Sequence, residues 1–477
     1  LHRLIRRQRQ MCIRDRPYNG FRCQNRKDRR KMTQHLNSLG KSALLILSNT
    51  IIVLPFMIFI QIAKGTSLLA LLPFLLFYTF RMTGVFFIRG IKTRINSYSL
   101  LKISLYAGLL GCLLGFMGSF YFPFYTLSGI LLGVSAAWLP MSNTSVNYYL
   151  KNTNQLIKGK TLVSLLLFLA LGFSFVLSPS LKYPLFFVFY GIVYLLSFQL
   201  VGNLDNYKVD PNDLEKASYK YLILFALFFV CLFLLRSSRL LANSLEFDYF
   251  IFGFFFLVTL YIVATNFFKN KIQRNIPRKL SYLTAINGAV GNYLFLFCSL
   301  YVAGFYGHQH LFLQFYLPYV LGIVFASKVK NLLGNNVKTY SLIGIFLGLL
   351  LIVFSPLFAL GLFLTSLFKG SLNSSLTQDY ESTVNIVEDK RIWVKYTIQN
   401  IGSILHQFLL MLLGSLIIMK NGLSIKTLFV ITSTPIPTAR SIELMKSWNL
   451  IATSLIILII ITYLIYPKIV PLLKKSK

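Results

Sequence analysis

Long apolar runs recur along the chain from residue 43 onward, and short basic segments separate many of them. A helix rises about 1.5 Å per residue, so about 20 apolar residues cross the roughly 30 Å hydrocarbon core of a bilayer. Only 13% of the 477 residues are charged and 56% are hydrophobic, whereas about 25% of the residues of a soluble domain are charged. These features exclude a soluble chain and predict an all-α polytopic membrane protein.

We predict about fourteen transmembrane helices in a 6+2+6 arrangement. The apolar stretch 340–372 is divided at Ser355-Pro356, because it is too long for one span and proline ends helices. The predicted spans lie at 43–62, 67–88, 100–119, 123–141, 161–179, 184–201, 221–236, 248–267, 281–303, 311–327, 340–354, 356–372, 397–419 and 449–467.

Residues 1–31 contain twelve Lys and Arg residues and no apolar stretch. The run from Met11 to Arg16 looks like a translated sequencing adapter, so we expect a non-native basic leader and a natural start at Met32. A basic arm on the cytoplasmic membrane surface is the alternative. A signal peptide is disfavoured because no cleavage site follows the first apolar run.

The first six and the last six predicted spans echo each other. Residues 84–90 end the second span and residues 322–328 end the tenth, each before a basic loop, and Tyr-Ser-Leu opens the next span at 98–100 and at 340–342. We therefore expect two pseudo-symmetric lobes, with chance similarity between apolar segments as the alternative. The predicted divisions are an N-terminal six-helix lobe (32–201), a cytoplasmic linker with two extra helices (202–280), and a C-terminal six-helix lobe with a basic tail (281–477).

The basic residues are distributed unevenly between the predicted loops. Lys and Arg number 48 against 13 Asp and Glu, a net charge of +35. If the N-terminus is cytoplasmic, the inner loops of this layout carry 25 basic residues and the outer loops carry 8. This follows the positive-inside rule, so we expect a multi-pass protein of a bacterial plasma membrane with both termini in the cytoplasm. It also explains the charge without nucleic acid as a partner.

With two six-helix lobes and two helices between them, the sequence resembles the fourteen-span form of the major facilitator superfamily over about residues 42–470. The family's cytoplasmic loop motif after the second helix is matched in part, with Ile88 in place of the family's Asp. The drug-antiporter signature of the fifth helix is absent. The resemblance implies a secondary transporter that works by alternating access, with import and efflux both left open. The matching motif residues are Gly84, Arg89, Lys92 and Arg94.

Arg81 lies inside the second predicted span, about two turns from its cytoplasmic end. Burying a charge in lipid costs at least about 2.5 kcal/mol, so an intramembrane cation indicates function. We expect Arg81 to face a central cavity and to bind an anionic group through its planar guanidinium, with snorkelling to the interface as the alternative. None of the thirteen acidic residues lies in the middle of a span, which disfavours proton coupling through an embedded carboxylate.

Several neutral polar residues are further candidates for substrate contact. Asn49 and Asn287 fall at similar depths in the first span of each lobe, and His406-Gln407 lies in the middle of the thirteenth span. Hydrogen bonds between helices are the alternative for all of them. Lys369, near the cytoplasmic end of its predicted span, is expected to snorkel. The predicted binding residues are Arg81, Asn49, Asn287, Gln314, Tyr319, His406 and Gln407.

These observations favour a secondary transporter of a small organic solute, with Arg81 favouring an anionic one, and no enzyme. We expect no cofactor and no metal, with a small-molecule substrate and the lipid bilayer as partners of a monomer. A lipid-linked saccharide flippase is the first alternative. A membrane-embedded glycosyltransferase or acyltransferase is the second, because Glu246 and Asp248 form an acidic pair before the eighth span.

Overall fold

The computed structural model describes residues 36–63, 68–91, 95–155, 159–174, 177–202, 218–241, 276–384, 386–423 and 437–475. Every regular element in these residues is helical, which confirms the predicted helical class. The predicted leader 1–31, the linker 203–217 and the predicted span 248–267 lie outside them. In chain order the helices are α1 (Leu36–Thr50), α2 (Leu54–Ile62), α3 (Leu68–Gly90), α4 (Ser97–Met117), α5 (Pro123–Asn152), α6 (Thr161–Ser174), α7 (Pro179–Gly202), α8 (Tyr219–Leu241), α9 (Arg278–Phe305), α10 (Leu311–Leu332), α11 (Val337–Val353), α12 (Ser355–Glu381), α13 (Glu388–Lys420) and α14 (Ala439–Lys475).

Nine helices of the described ranges are long and apolar enough to cross a membrane: α3, α4, α5, α7, α9, α10, α12, α13 and α14. The pair α1 and α2, bent by 55°, would make a tenth span, and α6, α8 and α11 include shorter apolar helices. The chain is therefore a multi-pass membrane protein. Fourteen spans and the 6+2+6 order are not confirmed. The predicted break at Ser355-Pro356 is present, because α11 ends at Val353 and α12 begins at Ser355.

The chain divides into two compact units, Leu1–Gln61 with Tyr98–Lys208 and Ile62–Ser97 with Val209–Lys477. The second unit contains α3 and the helices from α8 onward, and the first contains α1 and the helices from α4 to α7. The lobe boundaries derived from the sequence stay a prediction.

The first unit has a core of tyrosines on α7. Tyr190 and Tyr194 are fully buried, with 5.5 Å between their ring centres. Their hydroxyls are hydrogen bonded, that of Tyr190 to Thr50 of α1 at 3.2 Å and that of Tyr194 to Ser135 of α5 at 2.9 Å. Buried hydroxyls need such partners, and these bonds join α7 to α1 and α5.

In the second unit, α3 packs against α8 and α13, α9 packs along α13, and α12 contacts both α10 and α11. Phe86 of α3 and Phe228 of α8 are fully buried, with 5.4 Å between ring centres. A π-helical turn, Tyr293–Phe297, lies within α9. Such turns change the direction of the side chains that follow them, and they are frequent at functional sites.

Helices α9 and α13 approach each other backbone to backbone at two glycines. A Cβ atom at Gly288 would overlap the carbonyl oxygen of Gln399, and one at Gly402 would overlap that of Ala285. Small residues permit this close approach of helices in membranes. The contact fixes the position of α9, against which two cationic side chains, Arg81 and Lys369, lie.

A buried ion pair holds the start of α13. The carboxylate oxygens of Asp389 accept the backbone N–H of Ser97 at 3.0 and 3.1 Å, and Lys390 Nζ lies 3.3 Å from Asp389 Oδ2. Lys390 also donates to the carbonyl oxygen of Ile95 at 2.8 Å. The indole of Trp393 donates to the Ser97 hydroxyl at 2.8 Å. The segment before Tyr98 is thereby fixed to the N-terminal end of α13.

Candidate functional site

Asn287, Gly291 and Phe295 follow one another along α9 at intervals of four residues, and Phe295 lies inside the π-helical turn. Asn287 and Gly291 are about one turn, or about 6 Å, apart on the same side of the helix, and the π-helical turn sets the direction of Phe295. A cationic side chain from another helix reaches each position, in the case of Asn287 through Asn373 of α12. We call this set the cationic face of α9; it comprises Arg81 of α3, Lys369 of α12 and Lys395 of α13.

Arg81 lies among aromatic rings, nine residues before the end of α3 at Gly90. Its guanidinium carbon is 5.2 Å from the ring centre of Phe295 and 5.9 Å from that of Tyr78. Cations within about 6 Å of a ring face are attracted to it. Tyr319 of α10 packs against Phe295, with 6.1 Å between ring centres. Two helices thus contribute rings to the guanidinium, and a third contributes a ring that packs against one of them.

Lys369 lies in the middle of α12, and the prediction that it sits at the end of its span is wrong. It is 14 residues after Ser355 and 12 residues before Glu381, because α12 continues well past residue 372. A Cβ atom on Gly291 would be 3.3 Å from both Cε and Nζ of Lys369, so its ammonium group lies against α9. Lys369 therefore contacts α9 four residues before Phe295, the residue whose ring Arg81 contacts.

Lys395 is bound by the protein itself. It is 1% exposed, and its Nζ atom donates to Asn373 Oδ1 at 2.8 Å, to the Asn373 carbonyl oxygen at 3.2 Å and to Thr377 Oγ1 at 2.7 Å. Asn373 Oδ1 also accepts from Nδ2 of Asn287 at 3.1 Å. The sequence layout counts Lys395 as a loop charge. This is wrong, because α13 begins at Glu388 and Lys395 is therefore part of the helix.

Carboxylates are absent from the helical segments around these cations. The sequences of α3, α9 and α10 contain no Asp or Glu, and those of α12 and α13 contain them only at one end. Of those, Asp379 pairs with Lys338 at 2.7 Å and Asp389 with Lys390 at 3.3 Å. Within the described ranges, no three His, Cys, Asp or Glu residues are grouped so as to hold a metal ion. The cationic face is therefore a region of net positive charge, suited to an anion.

Gln407 and His406, both predicted from the sequence, lie in the same unit. Gln407 is 1% exposed, and its Oε1 atom accepts from the hydroxyl of Tyr78 at 2.5 Å. Because the guanidinium of Arg81 lies near the ring of the same Tyr78, this bond links Gln407 to Arg81 through one tyrosine. His406 is 2% exposed and its ring is 6.2 Å from that of Tyr293. Neither ring nitrogen of His406 has a hydrogen-bond partner among the described residues.

The remaining predicted residues are spread more widely. Gln314 is half-buried in the π-helical first turn of α10, and Asn49 is exposed on α1 in the first unit. Gly84 and Arg89 lie within α3, where Arg89 donates to Thr397 Oγ1 at 3.1 Å. Lys92 and Arg94 lie outside the described residues. Of the predicted set, the structure brings Arg81, Asn287, Tyr319 and Gln407 to the cationic face and the rings around it.

Sequence reasoning missed four contributors: Tyr78, Phe295, Asn373 and the role of Lys369. Phe295 is one of 44 phenylalanines, so nothing in the sequence distinguishes it. Lys369 carried a usable signal, since a lysine followed by Gly370 and several serines can belong to a longer helix whose polar residues are satisfied inside the protein.

No protein-family model matches the chain, and no curated protein matches it either. Among solved structures, it is similar to the crystal structure of nucleoside transporter NupG, with 12% identical residues. The likeness covers 89% of this chain and 98% of that one, with a TM-score of 0.42. A likeness at that score supports no conclusion about the fold or the function of this chain.

Proposed function

We propose that the protein is a secondary membrane transporter that binds a small organic anion at Arg81 and moves it by alternating access. The observation that carries the proposal is the position of Arg81 inside a membrane-length helix that contains no Asp or Glu, with its guanidinium near the rings of Tyr78 and Phe295. The transporter would have two lobes of the major facilitator type, in a plasma membrane, with both termini in the cytoplasm. The asymmetry of basic residues between predicted loops supports that orientation.

The physical reason for an anion is the cost of the charge. A guanidinium stays protonated in proteins because its pKa is above about 12, and a charge at membrane depth costs at least about 2.5 kcal/mol. Contacts with aromatic faces return roughly 0.5–2 kcal/mol. A carboxylate or phosphate in a forked hydrogen bond with the guanidinium returns more. An arginine placed among rings in this way therefore favours an anionic ligand.

The direct test is ligand-dependent thermal stabilisation of the purified protein in detergent. The panel contains organic anions, neutral amides or esters of the same scaffolds, and organic cations. Anions should raise the unfolding temperature of the wild type, and their neutral analogues should not.

The variant Arg81→Gln should weaken anion binding by about 1.5–3 kcal/mol, the range for a hydrogen bond to a charged group. The matched control is Arg440→Gln, because Arg440 is exposed at the start of α14; it should behave as the wild type. Equal stabilisation by neutral and anionic compounds, or an unchanged affinity in Arg81→Gln, would contradict the proposal.

A further inference from the structure

We infer that Lys369 is a second contact for the same ligand, and that the ligand carries two negative charges, as a phosphomonoester or a dicarboxylate, on an apolar or aromatic body. The inference rests on the proposed function and adds the class of substrate. It begins from the fact that Lys369 lies in the middle of α12 and against Gly291, four residues before Phe295, whose ring Arg81 contacts.

The ammonium group of Lys369, which lies against α9, differs from that of Lys395, which bonds to α12. Lys395 has three oxygen acceptors from Asn373 and Thr377. An ammonium group has three N–H donors, so Lys395 has none left for a ligand. Lys369 is half-buried and has neither a hydrogen bond nor an ion pair with any residue that the structure describes. Its donors are available.

The two cations contact α9 four residues apart in sequence, Lys369 at Gly291 and Arg81 at the ring of Phe295. A charged hydrogen bond spans about 2.8 Å between heavy atoms, so one phosphate or two close carboxylates between the cations can contact both. The rings of Phe295, Tyr78 and Tyr319 then lie beside an attached apolar or aromatic group.

Arg81 and Lys369 contact α9 four residues apart, and like charges at neighbouring positions repel each other. Their own helices do not offset this, because α3 carries no carboxylate and α12 carries carboxylates only at its C-terminal end. A dianion removes this repulsion at both groups, whereas a monoanion neutralises only one of them. The site should therefore discriminate between ligands by their charge.

The experiment measures Kd by ligand-dependent thermal stabilisation for two matched pairs at about pH 8, where a phosphomonoester is fully ionised. The pairs are phenyl phosphate with methyl phenyl phosphate, and phthalate with its monomethyl ester. The wild type should bind each dianion at least about tenfold more tightly than its monoanionic ester, the ratio for about one charged contact. Lys369→Gln should lose this preference, and Lys369→Arg should retain most of it.

Lys420→Gln is the matched control, since Lys420 is exposed at the end of α13; it should keep the full preference. Lys369→Gln should unfold without ligand at the wild-type temperature or above, which shows that it folds. An unchanged preference in Lys369→Gln while Arg81→Gln weakens every anion would overturn the inference and leave the proposed function standing. Failure of both dianions to bind at about 10 mM would also overturn it. Unchanged anion binding in Arg81→Gln would remove the proposed function itself.

Discussion

The Nζ atom of Lys395 lies 2.8 Å from Oδ1 of Asn373, and this contact gives Lys395 a structural role. Replacement by methionine nearly keeps the length of the side chain but removes the three hydrogen bonds that Lys395 donates to Asn373 and Thr377. We expect Lys395→Met to lower the free energy of unfolding by about 1.5–3 kcal/mol. Thermal unfolding in detergent measures this loss, and the Kd for an organic anion should stay within about threefold of the wild type.

Lys420→Met is the control for that variant, because Lys420 is exposed at the other end of α13. It should unfold at the wild-type temperature. If Lys395→Met unfolded as the wild type does and lost anion binding, Lys395 would be a ligand contact instead of a structural residue.

The buried pair of Asp389 and Lys390 should matter far more than the exposed pair of Asp379 and Lys338. The side chains are 0% and 6% exposed in the first pair, against 27% and 46% in the second. Asp389→Ala leaves a buried ammonium group without its carboxylate, which costs about 3–5 kcal/mol. Lys338→Met should cost less than about 1 kcal/mol. Chemical unfolding of both variants measures the two losses in free energy of unfolding. Losses of equal size would contradict a larger contribution from the buried pair.

The contact between α9 and α13 predicts a strong effect of one added methyl group. Gly288→Ala places Cβ against the carbonyl oxygen of Gln399, and overpacking of this kind costs about 1–3 kcal/mol. Gly172→Ala, on α6, is the matched control, because no other atom would lie within 4 Å of its new Cβ. That change should be neutral or stabilising by about 0.5–1 kcal/mol. A thermal unfolding series reports both, and a neutral Gly288→Ala would contradict the close approach.

Hydropathy predicted where the helices lie, but not where α12 ends or where α13 begins. The predicted span 356–372 stops at a run of serines and Asn373, which read as the start of a loop. In the structure α12 continues to Glu381, because these side chains bond within the protein: Ser371 Oγ donates to the Leu367 carbonyl oxygen at 3.1 Å, and Thr377 Oγ1 to that of Asn373 at 2.8 Å. Polar residues that are satisfied inside the protein carry no hydropathy signal for a helix.

The start of α13 shows the same effect. Its first eight residues hold five charges, so the sequence predicts a loop there and a span from 397. The helix nevertheless begins at Glu388, since Asp389 pairs with Lys390 and Lys395 is bound by Asn373. Arg81 could be found from the sequence because it interrupts a long apolar run. Lys369 and Lys395 could not be placed beside it, because their partners come from helices far apart in the chain.

Uptake into proteoliposomes tests the central claim most directly. Purified wild type, Arg81→Gln and Arg440→Gln are reconstituted at equal density, and the initial rate of uptake is measured for a panel of radiolabelled organic anions. The wild type and Arg440→Gln should show saturable uptake of at least one anion, and Arg81→Gln should transport it at least about tenfold more slowly at concentrations below half-saturation. Saturable uptake at the same rate by Arg81→Gln would contradict an anion site at Arg81.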